Sequence, residues 1–165
     1  MFRVGLGKDS HKIKFKIKNE KLKISRLGGV EIKDWEIIAN SDGDVIIHAL
    51  CNALSSAIGG DSLGTWADEM FEKGITDSRK FLKIILARIK EKGLRVNNIA
   101  VCVEAKKPRL TRKQIQKIRT SLANLLDIAE TVVGLTFTSD NGITPFGQGK
   151  AVQALVLASL LKDDN

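Results

Sequence analysis

One segment of this chain is apolar almost all the way round a helix. Between Asp44 and Ile58 come Val45, Ile46, Ile47, Ala49, Leu50, Ala53, Leu54 and Ala57, interrupted only by His48, Asn52, Ser55 and Ser56. A helix with no wet face has to lie inside, so the rest of the chain must wrap around it. Ser41 or Asp42 is expected to cap it, and Gly59-Gly60 to stop it. His48, Asn52 and Ser55 stand at i, i+4 and i+7 and share one face. A polar stripe on a buried helix either satisfies hydrogen bonds in the core or lines a site.

The elements around this helix follow from their periods. Phe2 to Gly7 reads as a strand, and Lys12–Lys18 with Lys21–Leu27 as a hairpin about Asn19-Glu20, broken at Gly28-Gly29. Val30 to Ile32 is a short strand. Gly60 to Gly74, rich in acids and glycine, reads as a loop. A second helix runs from Ser78 to Lys92, capped by Asp77, with Phe81, Leu82, Ile85 and Ile89 inward. Asn98 to Ala105 is a buried strand. Thr111 caps a third helix through Leu126. Val132–Thr138 reads as a strand, and so does Ala151–Leu160, which also admits a helix. The expectation is an α+β fold in one domain, 1–165: a mixed β-sheet with three helices packed on one face.

Composition narrows the partners. A net charge of +8 favours an anionic partner, either nucleic acid or a phosphorylated small molecule. Aromatics are only 5% and Tyr is absent, which disfavours base stacking. Lys12, Lys14, Lys16 and Lys18 alternate with apolar residues, as on the wet face of a strand. No apolar stretch approaches membrane-spanning length. Cys51 and Cys102 sit in apolar runs as buried thiols, consistent with a cytoplasmic protein without a membrane anchor.

The other of only two histidines is His11, in Gly5-Leu6-Gly7-Lys8-Asp9-Ser10-His11. Residues two apart in an extended segment point the same way, so Asp9 and His11 can reach one ion. Alone, an Asp and a His just after a strand are more often a turn cap and a surface ring. With His48 they make two imidazoles and one carboxylate, a set that suits a divalent cation with a position left for substrate. Ser41-Asp42-Gly43-Asp44 fits helix capping, and its free N–H groups also fit a phosphate. Gly5-x-Gly7 and Gly147-Gln148-Gly149-Lys150 are too short for nucleotide fingerprints.

Taken in order, Gly7-Lys8-Asp9-Ser10-His11, Ser41-Asp42-Gly43-Asp44 with His48, Gly60-Asp61, Asp68 and Thr76-Asp77-Ser78 resemble one family along essentially the whole chain. It is the 2-C-methyl-D-erythritol 2,4-cyclodiphosphate synthase family of non-mevalonate isoprenoid biosynthesis, in its chlamydial style. The resemblance implies a homotrimer around a central sheet-lined axis, with active sites between subunits. It implies zinc or manganese on Asp9, His11 and His48, and magnesium as a second ion with the substrate phosphates. The implied reaction is cyclisation of 4-diphosphocytidyl-2-C-methyl-D-erythritol 2-phosphate with release of CMP. The cytidine pocket maps to Ala105, Lys106, Lys107, Pro108, Arg109, Leu110 and Thr111. Asp61 and Asp68 map to the erythritol hydroxyls, and Ser41 and Thr136 to substrate contacts.

Three positions depart from the family pattern. Asn40 replaces a substrate-contacting His. In Thr136-Phe137-Thr138-Ser139-Asp140, an ungapped match puts Phe137 at the phosphate-binding Thr and Ser139 at the second-metal acid. A one-residue shift places Thr138 and Asp140 there and keeps both chemistries. Phe146 replaces a phosphate-contacting Arg, for which Arg109 or Lys150 can substitute. The alternatives are a metal-dependent phosphohydrolase on the same Asp-His-His group, a family member with weakened activity, and a basic nucleic-acid-binding module.

Overall fold

The computed structural model describes residues 1–15, 24–33, 35–107 and 109–163. Strand β1 (Phe2–Phe15) carries the alternation seen at its start well beyond Gly7. Its inward positions are Gly5, Gly7, Asp9, His11 and Ile13, so Asp9 and His11 lie inside the strand rather than after it. The described part of the expected hairpin pairs differently. Lys12–Phe15 faces β4 (Trp35–Ile38), a strand the sequence reading did not anticipate. β2 (Ser25–Leu27) faces β3 (Val30–Ile32). Residues 16–23, which held the proposed turn, lie outside the described residues.

The main sheet has the order β4-β1-β7-β5-β6, with β5 at Leu94–Glu104, β6 at Val133–Thr138 and β7 at Ala151–Lys162. Among the described strands β5 and β6 run parallel and the other pairs antiparallel, so the sheet is mixed. The segment that admitted a helix is β7, paired along β1 from Phe2↔Leu161 to Lys12↔Ala151. A register shift between Val96 and Asn98 marks a bulge in β5.

Helix α1 (Val45–Ala57) lies on β1 and β7 and buries Ile46, Ile47, Leu50 and Leu54 completely. Each of those side chains contributes roughly 1.5–3 kcal/mol through burial. The helix comes this close because of the two glycines. A Cβ on Gly5 would stand 2.0 Å from Ala53 O, and one on Gly7 would stand 2.1 Å from Ala49 O. Gly5-x-Gly7 is thus a packing device, with Ala49, Ala53 and Ala57 as its counterpart.

The cap of α1 is Asp44, not Ser41 or Asp42. Its carboxylate accepts from Ile46 N and Ile47 N, and also from Gly28 N at 2.8 Å and Gly29 N at 2.6 Å. It therefore welds the β2–β3 turn, where both glycines have positive φ, to the helix start. Burial raises the Asp44 pKa above the ordinary carboxylate value, while the N–H groups of Gly29, Gly28 and Ile47 pull it down.

Among the described residues there are four α-helices rather than three. The expected loop at Gly60–Gly74 contains α2 (Leu63–Glu72). Its inward stripe is Leu63, Trp66, Ala67 and Met70. Its first N–H is capped from another helix, with Leu63 N donating to Asn52 Oδ1 at 2.7 Å. That long-range cap is why no local start signal marked it. Arg88 of α3 (Ser78–Glu91) stacks over Trp66 at 5.0 Å. Helix α4 (Arg112–Leu126) starts with the expected Thr111 cap in a capping box with Gln114.

Among the described residues nothing covers the sheet face away from the helices. Phe2, Val4, Leu6, Leu155 and Leu157 are exposed there by 40–62%. Both cysteines are free, and burial, then nearby Asp44, pushes the Cys51 thiol above its ordinary value. Among the described residues no helix is long and apolar enough to cross a membrane.

Candidate active site

The antiparallel lie of α1 on β1 brings the three expected ligands together. Along β1 the inward positions run Gly5, Gly7, Asp9, His11; the glycines meet the middle of α1, and the next two positions meet its first turn at His48. One ligand atom from each of Asp9, His11 and His48 lies within 4.8 Å of the others. His48 Nδ1 is 3.1 Å from Asp9 Oδ2, and His11 Nε2 is 3.1 Å from the same oxygen. His11 Nε2 is nevertheless buried without a hydrogen-bond partner. An orphaned ring nitrogen beside a carboxylate oxygen and a second imidazole fits a divalent ion better than a closed hydrogen-bond network. Burial works to raise the Asp9 carboxyl, but His11 and His48 beside it outweigh burial and hold it well below the usual carboxylate range. The carboxylate stays charged as a ligand must.

The far side of His48 is also engaged. Its Nε2 is 2.9 Å from Ser78 Oγ and 3.3 Å from Ser41 Oγ. Ser78 Oγ in turn donates to Asp42 Oδ1, whose other oxygen accepts from Ser78 N at 3.2 Å. Phe81 backs the ring, with centroids 6.2 Å apart.

A cavity of about 470 Å3 opens over the group, lined by His11, Ala39, Asn40, Ser41, His48, Leu63, Gly64, Asp68 and Glu72. It gathers Asn40, Ser41 and Asp68 of the expected substrate contacts. Glu72 was not foreseen, because the reading of its segment as a loop hid that Asp68 and Glu72 are one helical turn apart. Asp61 is exposed and does not line the cavity; its carbonyl accepts from Ser55 Oγ at 2.6 Å.

The remaining expected residues collect elsewhere. Ala105, Arg109, Leu110 and Thr138 line a separate cavity of about 280 Å3 together with Lys106, Ile115, Phe137 and Ser139. Thr111 is used as the α4 cap, Thr136 Oγ1 donates to Val101 O at 3.3 Å, and Pro108 lies outside the described residues. Asp140 is exposed at the end of β6, its N–H donating to Thr138 Oγ1 at 2.9 Å. Phe146 O accepts from Lys106 N at 3.0 Å, which fixes the loop before β7 against the second cavity.

Register sets the distance between the two cavities. Asp9 faces Ala154, Ala154 faces Val103, and Val103 faces Phe137. Asp9 and Phe137 therefore share a row three strand spacings apart, about 14 Å. Thr136 and Thr138 alternate onto the opposite sheet face.

An α+β fold with a mixed sheet, a largely buried helix and an Asp-His-His group at the sheet end defines a small protein with a candidate divalent-metal centre. The chain belongs to the YgbB family, which it matches over residues 2–161. It is 38% identical to 2-C-methyl-D-erythritol 2,4-cyclodiphosphate synthase of Chlamydia trachomatis serovar L2b over 164 residues, 98% of this chain and 89% of the relative. The same-named protein of Chlamydia muridarum is 37% identical over equal shares. Among solved structures, IspF from Plasmodium falciparum in complex with CDP superposes with a TM-score of 0.83 at 27% identity, covering 99% of this chain and 97% of that one. A CDP-bound 2C-methyl-D-erythritol-2,4-cyclodiphosphate synthase superposes at 0.84 with 25% identity, over 96% and 100%.

Proposed function

We propose that this chain is a 2-C-methyl-D-erythritol 2,4-cyclodiphosphate synthase: a metal-dependent cyclase acting on 4-diphosphocytidyl-2-C-methyl-D-erythritol 2-phosphate in the cytoplasm. The observation that carries the reading is the convergence of Asp9, His11 and His48 with an orphaned His11 Nε2, in a chain whose relatives bear that name. Asp9, His11 and His48 hold zinc or manganese, and Asp140 holds a second ion, magnesium, with the substrate phosphates. A bound divalent ion neutralises phosphate oxygens and lowers the repulsion between the two phosphates that must meet.

The chain's own task is positioning. Ser41, Asp61 and Asp68, with Asn40 beside them, hold the erythritol hydroxyls and the 2-phosphate near the ligand group. Ala105, Pro108, Arg109, Leu110 and Thr111 hold the cytidine, while Thr136 and Thr138 fix the diphosphate. A 2-phosphate oxygen then bonds to the β-phosphorus. The bond from that phosphorus to the CMP oxygen breaks, and its electron pair leaves with CMP. No nucleophilic Ser or Cys is needed.

Thr136 and Thr138 point to the face opposite Asp9, so one chain does not bring the two halves of this site together. The exposed apolar patch of Phe2, Val4, Leu6, Leu155 and Leu157 lies on that same face. A homotrimer packed on this face, with each site shared by neighbours, accounts for both.

Purified chain given zinc and magnesium should convert the diphosphocytidyl substrate to CMP and a cyclic diphosphate, read by phosphorus NMR. A linear phosphate product points instead to a phosphohydrolase, and no CMP at all overturns the proposal. His48→Ala should lose bound zinc and turnover together; a near-normal zinc content removes His48 from the ligand set.

A further inference from the structure

We infer that Ser78 and Asp42 are positioning residues that fix the tautomer of His48, so that its Nδ1 lone pair is the one offered to the ion. The inference rests on the reading that Asp9, His11 and His48 hold a metal.

Proton counting carries it. Asp42, as a carboxylate, only accepts hydrogen bonds. It accepts from Asp44 N and from Ser78 N, and Arg26 Nη1 stands 4.0 Å from Oδ2. Ser78 Oγ has one proton, and its contact to Asp42 Oδ1 uses it. The Ser78 oxygen is then left with lone pairs facing His48 Nε2 at 2.9 Å, so Nε2 must bear the hydrogen. Ser41 Oγ, which accepts from Gly43 N, stands 3.3 Å from the same Nε2 and adds a second acceptor on that side. A neutral imidazole protonated at Nε2 has its lone pair at Nδ1. Nδ1 is the nitrogen that faces Asp9 Oδ2, at 3.1 Å, so it is the one left for an ion shared with that carboxylate.

The opposite tautomer would need Ser78 to donate to Nε2. Its oxygen would then face Asp42 Oδ1 with no proton between two acceptors, at a Ser78 that is wholly buried. The relay is also held from both ends. Asp42 N donates to Thr76 O at 3.0 Å, which ties the loop before α1 to the start of α3. Ser78 is therefore more than the first residue of a helix that Asp77 already caps.

The test uses the scarcity of histidine. With only His11 and His48 in the chain, nitrogen-15 histidine labelling gives a spectrum of two rings. In the wild type, His48 Nε2 should carry a hydrogen both with and without zinc. Finding a bare Nε2 overturns the inference without any variant. Ser78→Ala should weaken zinc binding by about 10–100-fold, measured by chelator competition, and should mix the His48 tautomers. A folded Ser78→Ala protein with wild-type zinc affinity overturns it too. If the wild type itself binds no zinc, the metal reading fails, while the tautomer still decides the relay.

Discussion

Gly7→Ala joins packing to the site more directly than any change at the ligands. The added Cβ would sit 2.1 Å from Ala49 O and 2.3 Å from Ala53 N, both backbone atoms in the middle of α1. Neither can rotate away, so the helix has to back off by about 1.3 Å to reach ordinary contact at 3.4 Å. A gap of that size forfeits a quarter to a half of the dispersion contacts along the seam, and overpacking of this kind costs about 1–3 kcal/mol. For a chain of this length that lowers Tm by roughly 2–12 °C. His48 precedes Ala49 and rides on the same turn, so it withdraws from Asp9 and His11, and zinc affinity falls with stability. Calorimetry and zinc titration of Gly7→Ala check both effects. The control is Gly134→Ala, where the nearest atom is Ile99 O at 3.5 Å and the change should stay within about 1 kcal/mol. A Gly7→Ala protein with unchanged Tm and unchanged zinc affinity would refute the account of how α1 is seated.

Two further outcomes are expected. Asp77 is held below its ordinary carboxylate value of 3.8, first by the Arg79 side chain donating to it, so its charged form stabilises the fold above that pH and the benefit is lost as pH falls further. Asp77→Asn keeps a capping side chain but no charge; its stability deficit should be constant from neutrality to about pH 4 and shrink below it, and a deficit that vanishes above pH 5 contradicts the shift. Leu157→Glu places a charge on the uncovered apolar face, which a packed interface tolerates poorly. Sedimentation should report monomers and turnover should drop by at least about a hundredfold with zinc binding kept, whereas a fully active trimer contradicts the proposed assembly.

The site was legible where sequence period and chemistry coincide. Asp9 and His11 share the inward face of a strand, and His48 begins the polar stripe of a helix with no wet side, so their meeting follows once that helix lies on that strand. The seat itself was hidden in Gly5-x-Gly7, which looks like a truncated nucleotide motif until Ala49 and Ala53 are seen against it. Helix α2 was missed because its start is capped by Asn52 from another element. Asp44 replaced the expected caps because it is the carboxylate that reaches both the helix N–H groups and the Gly28-Gly29 turn. Strand β4 was passed over because it is only four residues long and its partner, Lys12–Phe15, had been given to a different hairpin. Ser78 looked like a helix-start serine, and only its distance from His48 gives it a second task.

The proposed assembly and the proposed catalysis make the same physical demand on this fold. The sheet carries helices on one side, and strand alternation forces every second residue onto the other. On β1 and β7 those residues are Leu6, Leu155 and Leu157, exposed apolar groups; on β6 they are Thr136 and Thr138. No rearrangement within one chain moves the threonines to the Asp9 side, because a one-residue slip of β6 would turn Val133 and Leu135 out of the core. Covering the apolar face with further copies removes that hydrophobic surface from water, and in the proposed trimer it also sets one chain's phosphate-side residues beside another's ligand group. A chain kept monomeric would retain its ion and its fold while losing the second wall of the site.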